Sequence, residues 1–436
     1  MWILYDLLLI LVLVCYVPGA LWRKRLPHWG WTMRLGQYPE SIASRFRGGA
    51  IWIHAVSVGE VMAVRPLLRA LRTDYPGTPL VLSTVTPGGF QTASRMLADE
   101  DGVVIYAPLD LSVAVRRALA AIRPRMLLLV ESELWPNLIR LAKHQRIPVA
   151  VVNGRISERA CRRYRRVQRW LGWMMNAVDL FLMQSETDAV RITSLGAPVA
   201  RVKVMGNLKW DASLLARPDA RRVQGLFGRL GLQRDHPLLV AGSTHRGEEE
   251  IILEAFKRLR NTFKHIRLVI APRHLERVRE VEQLLHRSGM VVGLASMEAE
   301  LQVERASLMA ATVKSWDMIV LDTLGELPMY YGVATIVIIG GSFIPHGGQN
   351  PLEAAVLGKP IVFGPFMHNF ADITSQLVAA RGARQLENGF ELPYVLDDMV
   401  MEPAEALAMG RRALALVVRF SGTSRKTVDA LKSLLS

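Results

Sequence analysis

The sequence predicts an α/β fold of two doubly wound domains in tandem, preceded by an apolar N-terminal helix. Three observations predict it. The chain has 436 residues, too many for one ordinary hydrophobic core. Short β-rich apolar runs alternate with amphipathic stretches, as in parallel sheets. The alternation breaks once, at about 206–236, and then resumes. We therefore expect an anchor helix at 1–22, a first α/β domain at 23–212 and a second at 213–436.

The N-terminal run, residues 1–22, is apolar except for Asp6 and a Pro18-Gly19 pair. At 1.5 Å per residue it would extend about 33 Å as a helix, just enough to cross a bilayer. The basic residues 23–25 follow the run, which argues against a cleavable signal peptide and predicts that the domains lie in the cytoplasm. Asp6 leaves another interpretation open, in which the helix lies on the membrane or packs on a domain.

In the first domain the apolar runs are continuous, which is typical of strands covered by helices on both faces. The predicted strands are 51–55, 79–85, 126–130, 148–152 and 180–184, and the helices that follow the first three are 60–72, 90–97 and 134–144.

In the second domain the same rhythm returns after residue 236. The predicted strands are 237–242, 266–272, MIVLD, TIVIIGG and KPIVFG, with a helix at 275–287. Tandem open α/β domains bind ligands at the carboxyl ends of their strands, so the cleft between the domains is the expected site.

Charge and cysteine content narrow the function classes. The chain carries 54 basic and 39 acidic side chains, a net charge of +15, and such a field attracts phosphorylated ligands, nucleic acid or an anionic membrane. The two cysteines, Cys15 and Cys161, exclude a disulfide framework and a cysteine zinc site.

Acidic residues follow two buried strands of the first domain. In HAVSVGE (54–60) Gly59 would allow a tight turn that presents Glu60 to the cleft, although Glu60 could equally just complement the helix dipole. In ESELWPN (131–137) burial would suit Glu131 or Glu133 to general base work. The alternative is that Glu133 caps the helix and Glu131 pairs with an arginine.

The segment 153–170 is the most basic of the chain. It could bind anionic lipid headgroups, nucleic acid or phosphates of a glycolipid, or form a solvated face; the apolar N terminus favours a lipid surface. The candidate residues are Arg155, Arg162, Arg163 and Arg166.

Three strand ends of the second domain carry candidate ligand-binding residues. Ser243 and Thr244 would hold an anion at a helix N-terminus, and Arg273 with His274 would meet a phosphate or carboxylate. A glycine-rich loop, 340–348, leads to Asn350 and Glu353, whose three-residue spacing on a helix could hold both ribose hydroxyls. Neither a Walker lysine nor a G-x-G-x-x-G fingerprint occurs there, so an ATPase or dinucleotide enzyme is not supported.

The order of these motifs resembles a known family. The glycine-rich loop before Asn-Pro-Leu-Glu-Ala resembles glycosyltransferases of the B-type fold, with two Rossmann-like domains, and the whole set is similar to the Kdo transferases of lipopolysaccharide synthesis. The motifs are HAVSVGE, ESELWPN, GNLKWD (206–211), APRH (271–274), DTLGEL (322–327) and GGQNPLEA (347–354).

The resemblance implies an inverting transferase that moves Kdo from CMP-Kdo to the lipid A precursor, lipid IVA, at the bacterial inner membrane, with no cofactor, metal or nucleic acid. It implies that Glu60 is the general base and that Glu131 and Lys209 stabilise the transition state. The donor-binding residues that it implies are Pro272, Arg273, Gly325, Glu326, Leu327, Asn350 and Glu353. The strand ends and the glycine-rich loop add Ser243, Thr244, His274, Gly347 and Gly348 as candidates.

Two departures from the family pattern, NGRIS (153–157) and the ESE of ESELWPN, bear on substrate detail more than on reaction type. The one Asp-x-Asp, 99–101, falls in an expected surface turn and does not indicate a catalytic metal. The rival interpretations are a B-type transferase using a UDP-sugar and a membrane-tethered nucleic-acid-binding protein.

Overall fold

A computed structural model describes residues 2–22, 30–46, 48–98, 102–233, 236–297 and 316–435. The side chains of 16–22 and 168–170 lie outside this description, as do the basic residues 23–25 and the Asp-x-Asp at 99–101.

The chain divides into two compact units, residues 1–212 with 420–436 and residues 213–419. The second domain was expected to include all of 213–436, whereas the C-terminal helix belongs to the first unit. Val428 and Leu431 of this helix are completely buried in a core of the first unit. Burial of an amphipathic face decides where a terminal helix packs, and the order of the chain does not reveal its partner.

The first unit is built on a seven-stranded parallel sheet in the order β3-β2-β1-β4-β5-β6-β7. Its strands are β1 Ala50–His54, β2 Leu80–Thr84, β3 Gly102–Tyr106, β4 Pro124–Val130, β5 Val149–Gly154, β6 Leu180–Met183 and β7 Val202–Val204. Successive side chains of a strand point to opposite faces, so Trp52 joins one apolar core and its neighbours Ile51 and Ile53 join the other.

Helices cover both faces of this sheet. Side-chain hydroxyls of Ser57, Thr86, Ser157 and Ser185 cap the helices that begin after β1, β2, β5 and β6. The helices are α1 Trp2–Trp22, α2 Trp31–Arg34, α3 Glu40–Ala43, α4 Val58–Asp74, α5 Pro87–Met96, α6 Ser112–Ile122, α7 Pro136–His144, α8 Glu158–Arg165, α9 Gln168–Ala177, α10 Glu186–Ser194 and α11 Leu208–Leu215, with the C-terminal helix as the last.

The second unit also has a seven-stranded parallel sheet, in the order β10-β11-β9-β8-β12-β13-β14. Its strands are β8 Leu238–Thr244, β9 Arg267–Pro272, β10 Val292–Leu294, β11 Met318–Val320, β12 Ile336–Ile339, β13 Ile361–Phe363 and β14 Arg384–Gln385. Its described helices, followed by the C-terminal one, are α12 Ala220–Arg229, α13 Glu248–Thr262, α14 Val278–His286, α15 Leu327–Val333, α16 Leu352–Ala355, α17 Ala371–Ala379, α18 Leu392–Met401, α19 Pro403–Phe420 and α20 Thr423–Leu435.

The predicted pair of α/β domains is confirmed as two parallel-sheet, Rossmann-like units. Every predicted strand is present, and its observed ends agree with the predicted ones to within three residues. The four strands that the sequence did not predict, β3, β7, β10 and β14, are the edges of the two sheets. An edge strand pairs on one side only, so its sequence needs no long apolar run; β7 is Val-Lys-Val and β14 is Arg-Gln.

Each sheet has a switch point between two central strands, where the chain connections lead away in opposite directions. Ligands of open α/β sheets bind at such a point, outside the carboxyl ends of the strands. In the first unit the switch point lies between β1 and β4, and in the second between β8 and β12. Glu60 and Glu131 follow the first pair of strands. In the second pair, Ser243 is the penultimate residue of β8 and the glycine-rich loop follows β12.

The N-terminal helix α1 packs on the first unit through polar contacts. Asp6 accepts hydrogen bonds from the Ser112 backbone N–H (3.1 Å) and from Asn137 Nδ2 (2.7 Å), and the Tyr5 hydroxyl donates to Asp110 (2.9 Å). Asp6 therefore has a packing role, as the alternative interpretation of the apolar run allowed.

Among the described residues, we find no helix with both the length and the apolar character required to cross a lipid bilayer.

Candidate active site

Glu60 lies in the first turn of α4, where both of its carboxylate oxygens accept hydrogen bonds. The Val56 N–H donates to Oε2 and the Ser57 hydroxyl to Oε1, each at 2.8 Å. Ser57 is the N-cap of α4, so the arrangement is close to a capping box. The tight turn expected at Gly59 is wrong: Gly59 is an ordinary helical residue, and an added Cβ there would meet only Ser57 Oγ, at 3.9 Å.

The pKa of Glu60 is well suited to base chemistry. The net pKa is about 7: burial raises it, the hydrogen bonds from Val56 and Ser57 oppose that rise, and the charges of Glu131 and Glu133 add to it. The side chain keeps 9% of its surface exposed. A general base works best when its pKa is near the operating pH, so Glu60 can take a proton at neutral pH.

Glu131 adopts a left-handed backbone conformation at the end of β4, with φ at 57°. Such a conformation costs a non-glycine residue about 1–3 kcal/mol and concentrates at functional sites. Its Oε1 lies 3.9 Å from Lys209 Nζ, with each side chain 21% exposed. The partner of Glu131 is therefore a lysine of α11, Lys209, and not the arginine that the alternative interpretation expected.

Glu133 does not cap the following helix. Its Oε2 accepts the indole N–H of Trp135 at 2.8 Å, and the N-terminus of α7 is instead capped by Asp110, which accepts the N–H groups of Asn137 (3.0 Å) and Leu138 (2.8 Å). The Trp135 ring also packs edge-on against the buried His54, with ring centroids 4.5 Å apart. Trp135 therefore fixes where Glu133 lies.

Lys209 is placed by residues that follow two further strands. Asn153, in a left-handed conformation at the end of β5, accepts the Leu208 N–H at 2.9 Å. Asn207 donates to Gln184, just after β6, at 2.8 Å and accepts the Lys209 N–H at 2.9 Å. The segment GNLKWD is thus held at the same edge of the sheet as Glu60 and Glu131.

Sequence reasoning missed three residues of this cluster: Asp110, Trp135 and Asn153. Asn153 could have been found, because it is a polar residue directly after a buried strand, the same signal that indicated Glu131. Asp110 and Trp135 carry no such signal, since their roles depend on contacts with α7 and with His54.

In the second unit, Glu248 organises the glycine-rich loop. It is completely buried, and its carboxylate accepts the backbone N–H groups of Gly341 (2.6 Å), Ser342 (2.9 Å), Phe343 (2.9 Å) and His245 (2.9 Å). Burial raises the pKa of Glu248, and these donors oppose the rise. One carboxylate therefore joins the segment after β8 to the loop after β12.

The phosphate cradle expected from Ser243 and Thr244 is not what the structure shows. Thr244 is completely buried and its hydroxyl donates to Glu249 at 2.8 Å. The helix α13 begins only at Glu248, so acidic side chains already occupy its first turn. Ser243 is strained, with φ at 57°, and a Cβ on Gly340 would lie 2.4 Å from its carbonyl oxygen. Glycine at 340 allows this close approach.

Imidazoles and an arginine gather beside these strand ends. The His245 ring lies 3.8 Å from that of His346 and 5.8 Å from that of His274. Burial, together with the neighbouring His346, His274 and Arg273, lowers the pKa of His245 to about 4. His245 is therefore neutral, and its Nε2 can accept from the Gln349 amide at 3.1 Å. Arg273 and His274 are exposed after the buried Pro272.

Asn350 and Glu353 lie together as their spacing predicted, with Asn350 Nδ2 3.4 Å from Glu353 Oε1. Burial raises the pKa of Glu353, while the charge of Arg273 opposes the rise, so the pair lies near the guanidinium. Gly347 and Gly348 both have positive φ, 105° and 77°. The structure thus brings the pair, the loop and Arg273 to one edge of the sheet.

The remaining donor candidates, Gly325, Glu326 and Leu327, follow β11 at the start of α15. Gly325 is exposed with φ at 83°, and Glu326 accepts a hydrogen bond from the Thr323 hydroxyl.

The candidate basic surface is divided between a loop and α8. Arg162, Arg163 and Arg166 are exposed, and Arg155 is half-buried. Glu158 lies 3.4 Å from Arg162. Cys161 of the same helix is buried in a core of the first unit, so the arginines cover the outer face.

The chain is similar to known proteins along most of its length. A family described as 3-deoxy-D-manno-octulosonic-acid transferase (kdotransferase) matches residues 29–212. The chain is 30% identical over 435 residues to a 3-deoxy-D-manno-octulosonic acid transferase of Haemophilus influenzae, covering 99% of this chain and 96% of the relative. It is 32% identical over 439 residues to one of Bordetella pertussis, covering 93% and 96%.

Among solved structures, a UDP-GlcNAc 2-epimerase from Neisseria meningitidis bound to UDP-GlcNAc shares the fold, with a TM-score of 0.60 at 13% identity, over 88% of this chain and all of that one.

Proposed function

This chain belongs to the 3-deoxy-D-manno-octulosonic acid (Kdo) transferase family, and we propose that it transfers Kdo from CMP-Kdo to a hydroxyl group of a lipid A precursor. The observation that carries the proposal is the raised pKa of Glu60, about 7, next to the Glu131 and Lys209 ion pair. The family supplies the donor, and these side chains supply the base that a glycosyl transfer needs.

In the proposed reaction Glu60 accepts the proton of an acceptor hydroxyl, and the oxygen attacks the anomeric carbon of Kdo. The bond from that carbon to the CMP phosphate breaks, and CMP departs with its electron pair. A single displacement assisted by a single base inverts the anomeric centre. Lys209, held beside Glu131, would stabilise the charge that develops in the transition state.

The second unit would bind the donor. Arg273 is exposed and suited to the phosphate of CMP, and Asn350 with Glu353 would receive the ribose hydroxyls. The segment Gly325 to Leu327, with Pro272, His274, Gly347 and Gly348, would complete the pocket. Ser243 would contribute through its backbone. Thr244, buried and bonded to Glu249, would act only on the shape of the site.

We further propose that the protein works at the bacterial inner membrane, with both units on the cytoplasmic side. Two features support this. The outer face of α1 exposes apolar side chains, among them Ile3 (77%) and Leu7 (56%). Arg162, Arg163 and Arg166 form an exposed basic surface on the same unit, which suits anionic headgroups.

The test is Kdo transfer to a tetraacylated lipid A precursor, with CMP-Kdo generated in situ, comparing the wild type with Glu60→Gln. Glutamine also fits the third position of a capping box, so the helix should persist. Glu186→Gln, an exposed acid in the first turn of α10, is the matched control.

Product from the wild type and from Glu186→Gln, but not from Glu60→Gln, is the expected result. Equal activity of Glu60→Gln would remove Glu60 as the base and move attention to Glu131. If a UDP-sugar replaces CMP-Kdo as the productive donor, the proposed function is wrong.

A further inference from the structure

Two apolar cavities flank α1 in the first unit. One, of about 330 Å³, is lined by Leu9 and Leu13 of α1 together with Leu109, Leu134 and Trp135. The other, of about 290 Å³, lies nearer the N terminus of the helix, against Leu8 and Trp173. Tyr5 and Pro136 line both. We call the two cavities together the α1 groove.

α1 is docked near its N terminus, where the Trp2 ring packs edge-on against Trp173 with ring centroids 4.6 Å apart. The hydrogen bonds of Tyr5 and Asp6 hold the first turns of α1. The flanking leucines are left partly or largely exposed: Leu8 is 57% exposed. A helix docked only to complete the core would bury such residues. Here they line open apolar space instead.

The α1 groove is continuous with the segment that carries the Glu131 and Glu133 carboxylates. Leu134, Trp135 and Pro136, which line it, directly follow Glu131 and Glu133 in ESELWPN. Trp135 belongs to both places, because its ring lines the groove while its indole N–H binds Glu133. An acceptor whose sugar hydroxyl loses its proton to Glu60 would therefore find apolar space beside the segment that carries Glu131 and Glu133.

We propose that the α1 groove binds acyl chains of the lipid acceptor and so contributes to acceptor specificity. The inference rests on the proposed function and goes beyond it, because it names the part of the acceptor that α1 recognises. The lining is almost wholly aliphatic and aromatic, with Asp110 as its acidic member, whose carboxylate is occupied by Tyr5 and the N-terminus of α7. Such a lining favours hydrocarbon over a headgroup or a sugar.

Hydrocarbon binding here predicts an acyl-dependent affinity. Each methylene moved from water into such a groove improves binding about fourfold. The tetraacylated precursor should therefore have a lower KM than a deacylated precursor that carries the same sugars and phosphates.

The experiment compares Leu8→Trp and Leu9→Trp, which project an indole into either side of the groove, with Leu11→Trp. Leu11 is 59% exposed on the same helix and lines neither cavity, so it matches the added apolar surface without filling the groove. The readout is the ratio of kcat/KM for the tetraacylated precursor to that for the deacylated precursor, in the same mixed micelles. We expect this ratio to fall at least tenfold in Leu8→Trp or Leu9→Trp and to stay at the wild-type value in Leu11→Trp.

Hydrogen exchange of α1 shows whether a variant remains docked. Leu8 is largely exposed, so its replacement is the variant that best preserves docking. A docked Leu8→Trp and a docked Leu9→Trp that both keep the wild-type ratio overturn the proposal. A wild type that uses both precursors with equal KM also overturns it, while the transferase function stands. A wild type that transfers Kdo to neither precursor overturns the transferase function and this proposal together.

Discussion

At the residue scale, Glu60 combines the two interpretations that its sequence position left open. Its carboxylate completes the N-terminal cap of α4, and burial still raises its pKa to about 7. The two roles are compatible, because a cap residue beside two other carboxylates is held rigidly in a place where its charge is disfavoured.

The rate of transfer should therefore depend on the ionisation of Glu60. Only the carboxylate accepts a proton, so kcat should rise about tenfold per pH unit below about pH 7 and level off above it. Glu60→Gln should lose about 10²–10⁴-fold in kcat and show no such titration. The measurement is kcat from pH 5.5 to 8.5 at saturating donor and acceptor. A wild-type profile that stays flat through pH 7 contradicts this assignment.

Glu248 should prove essential for the stability of the second unit and for its binding of CMP. Glu248→Ala leaves buried backbone donors of the glycine-rich loop without their acceptor, at about 1–3 kcal/mol for each such group. We expect a loss of several kcal/mol in the free energy of unfolding and a marked loss of CMP binding.

Glu250→Ala, an exposed acid in the same helical turn, is the control and should change stability by less than about 0.5 kcal/mol. Denaturant unfolding and calorimetric titration with CMP provide the two readouts. Wild-type CMP affinity in a folded Glu248→Ala would show that the loop is organised by other contacts.

At the scale of elements, the site residues are gathered by strand ends. β1 and β4 present Glu60 and Glu131, and β8 and β12 present Ser243 and the glycine-rich loop. Non-glycine residues with left-handed backbones stand at the ends of β4, β5 and β8: Glu131, Asn153 and Ser243. The strain falls where parallel strands must turn sharply into a site.

Asp110 binds both α1, through Tyr5, and the N-terminus of α7. Its removal should therefore lower the free energy of unfolding more than the removal of either contact alone. Asp110→Ala removes the cap of α7 and the acceptor of Tyr5, and we expect a cost of about 1–3 kcal/mol in the free energy of unfolding. Tyr5→Phe removes only the α1 link and should cost about 0.5–1.5 kcal/mol.

Both are measured by denaturant unfolding, and hydrogen exchange locates the change. In Tyr5→Phe faster exchange should be confined to α1, and in Asp110→Ala it should extend to the first turn of α7. Equal effects of the two variants would show that the α7 cap contributes little.

At the scale of the whole molecule, the net charge of +15 should make membrane association depend on salt and on where the charge lies. Arg162→Glu with Arg163→Glu should weaken binding to vesicles of anionic lipid, because a basic residue near such a surface contributes about 1 kcal/mol.

Arg221→Glu with Arg222→Glu, two exposed residues of α12, change the net charge equally and should weaken binding less. Vesicle sedimentation at two salt concentrations distinguishes the pairs. Equal losses from both would mean that overall charge acts without a specific basic surface.

The sequence by itself determined the two α/β units, ten of the fourteen described strands, and the placement of Glu60, Glu131, Arg273, Asn350 and Glu353 near strand ends. These follow from local patterns: continuous apolar runs specify buried strands, and polar residues directly after them specify a site. Only the tertiary structure decided the edge strands and the packing of the last helix on the first unit. It also decided the occupied hydroxyl of Thr244, the role of Glu248 and the docking of α1 through Asp6. Each of these depends on a partner distant along the chain, and contacts of that kind arise only when the chain has folded.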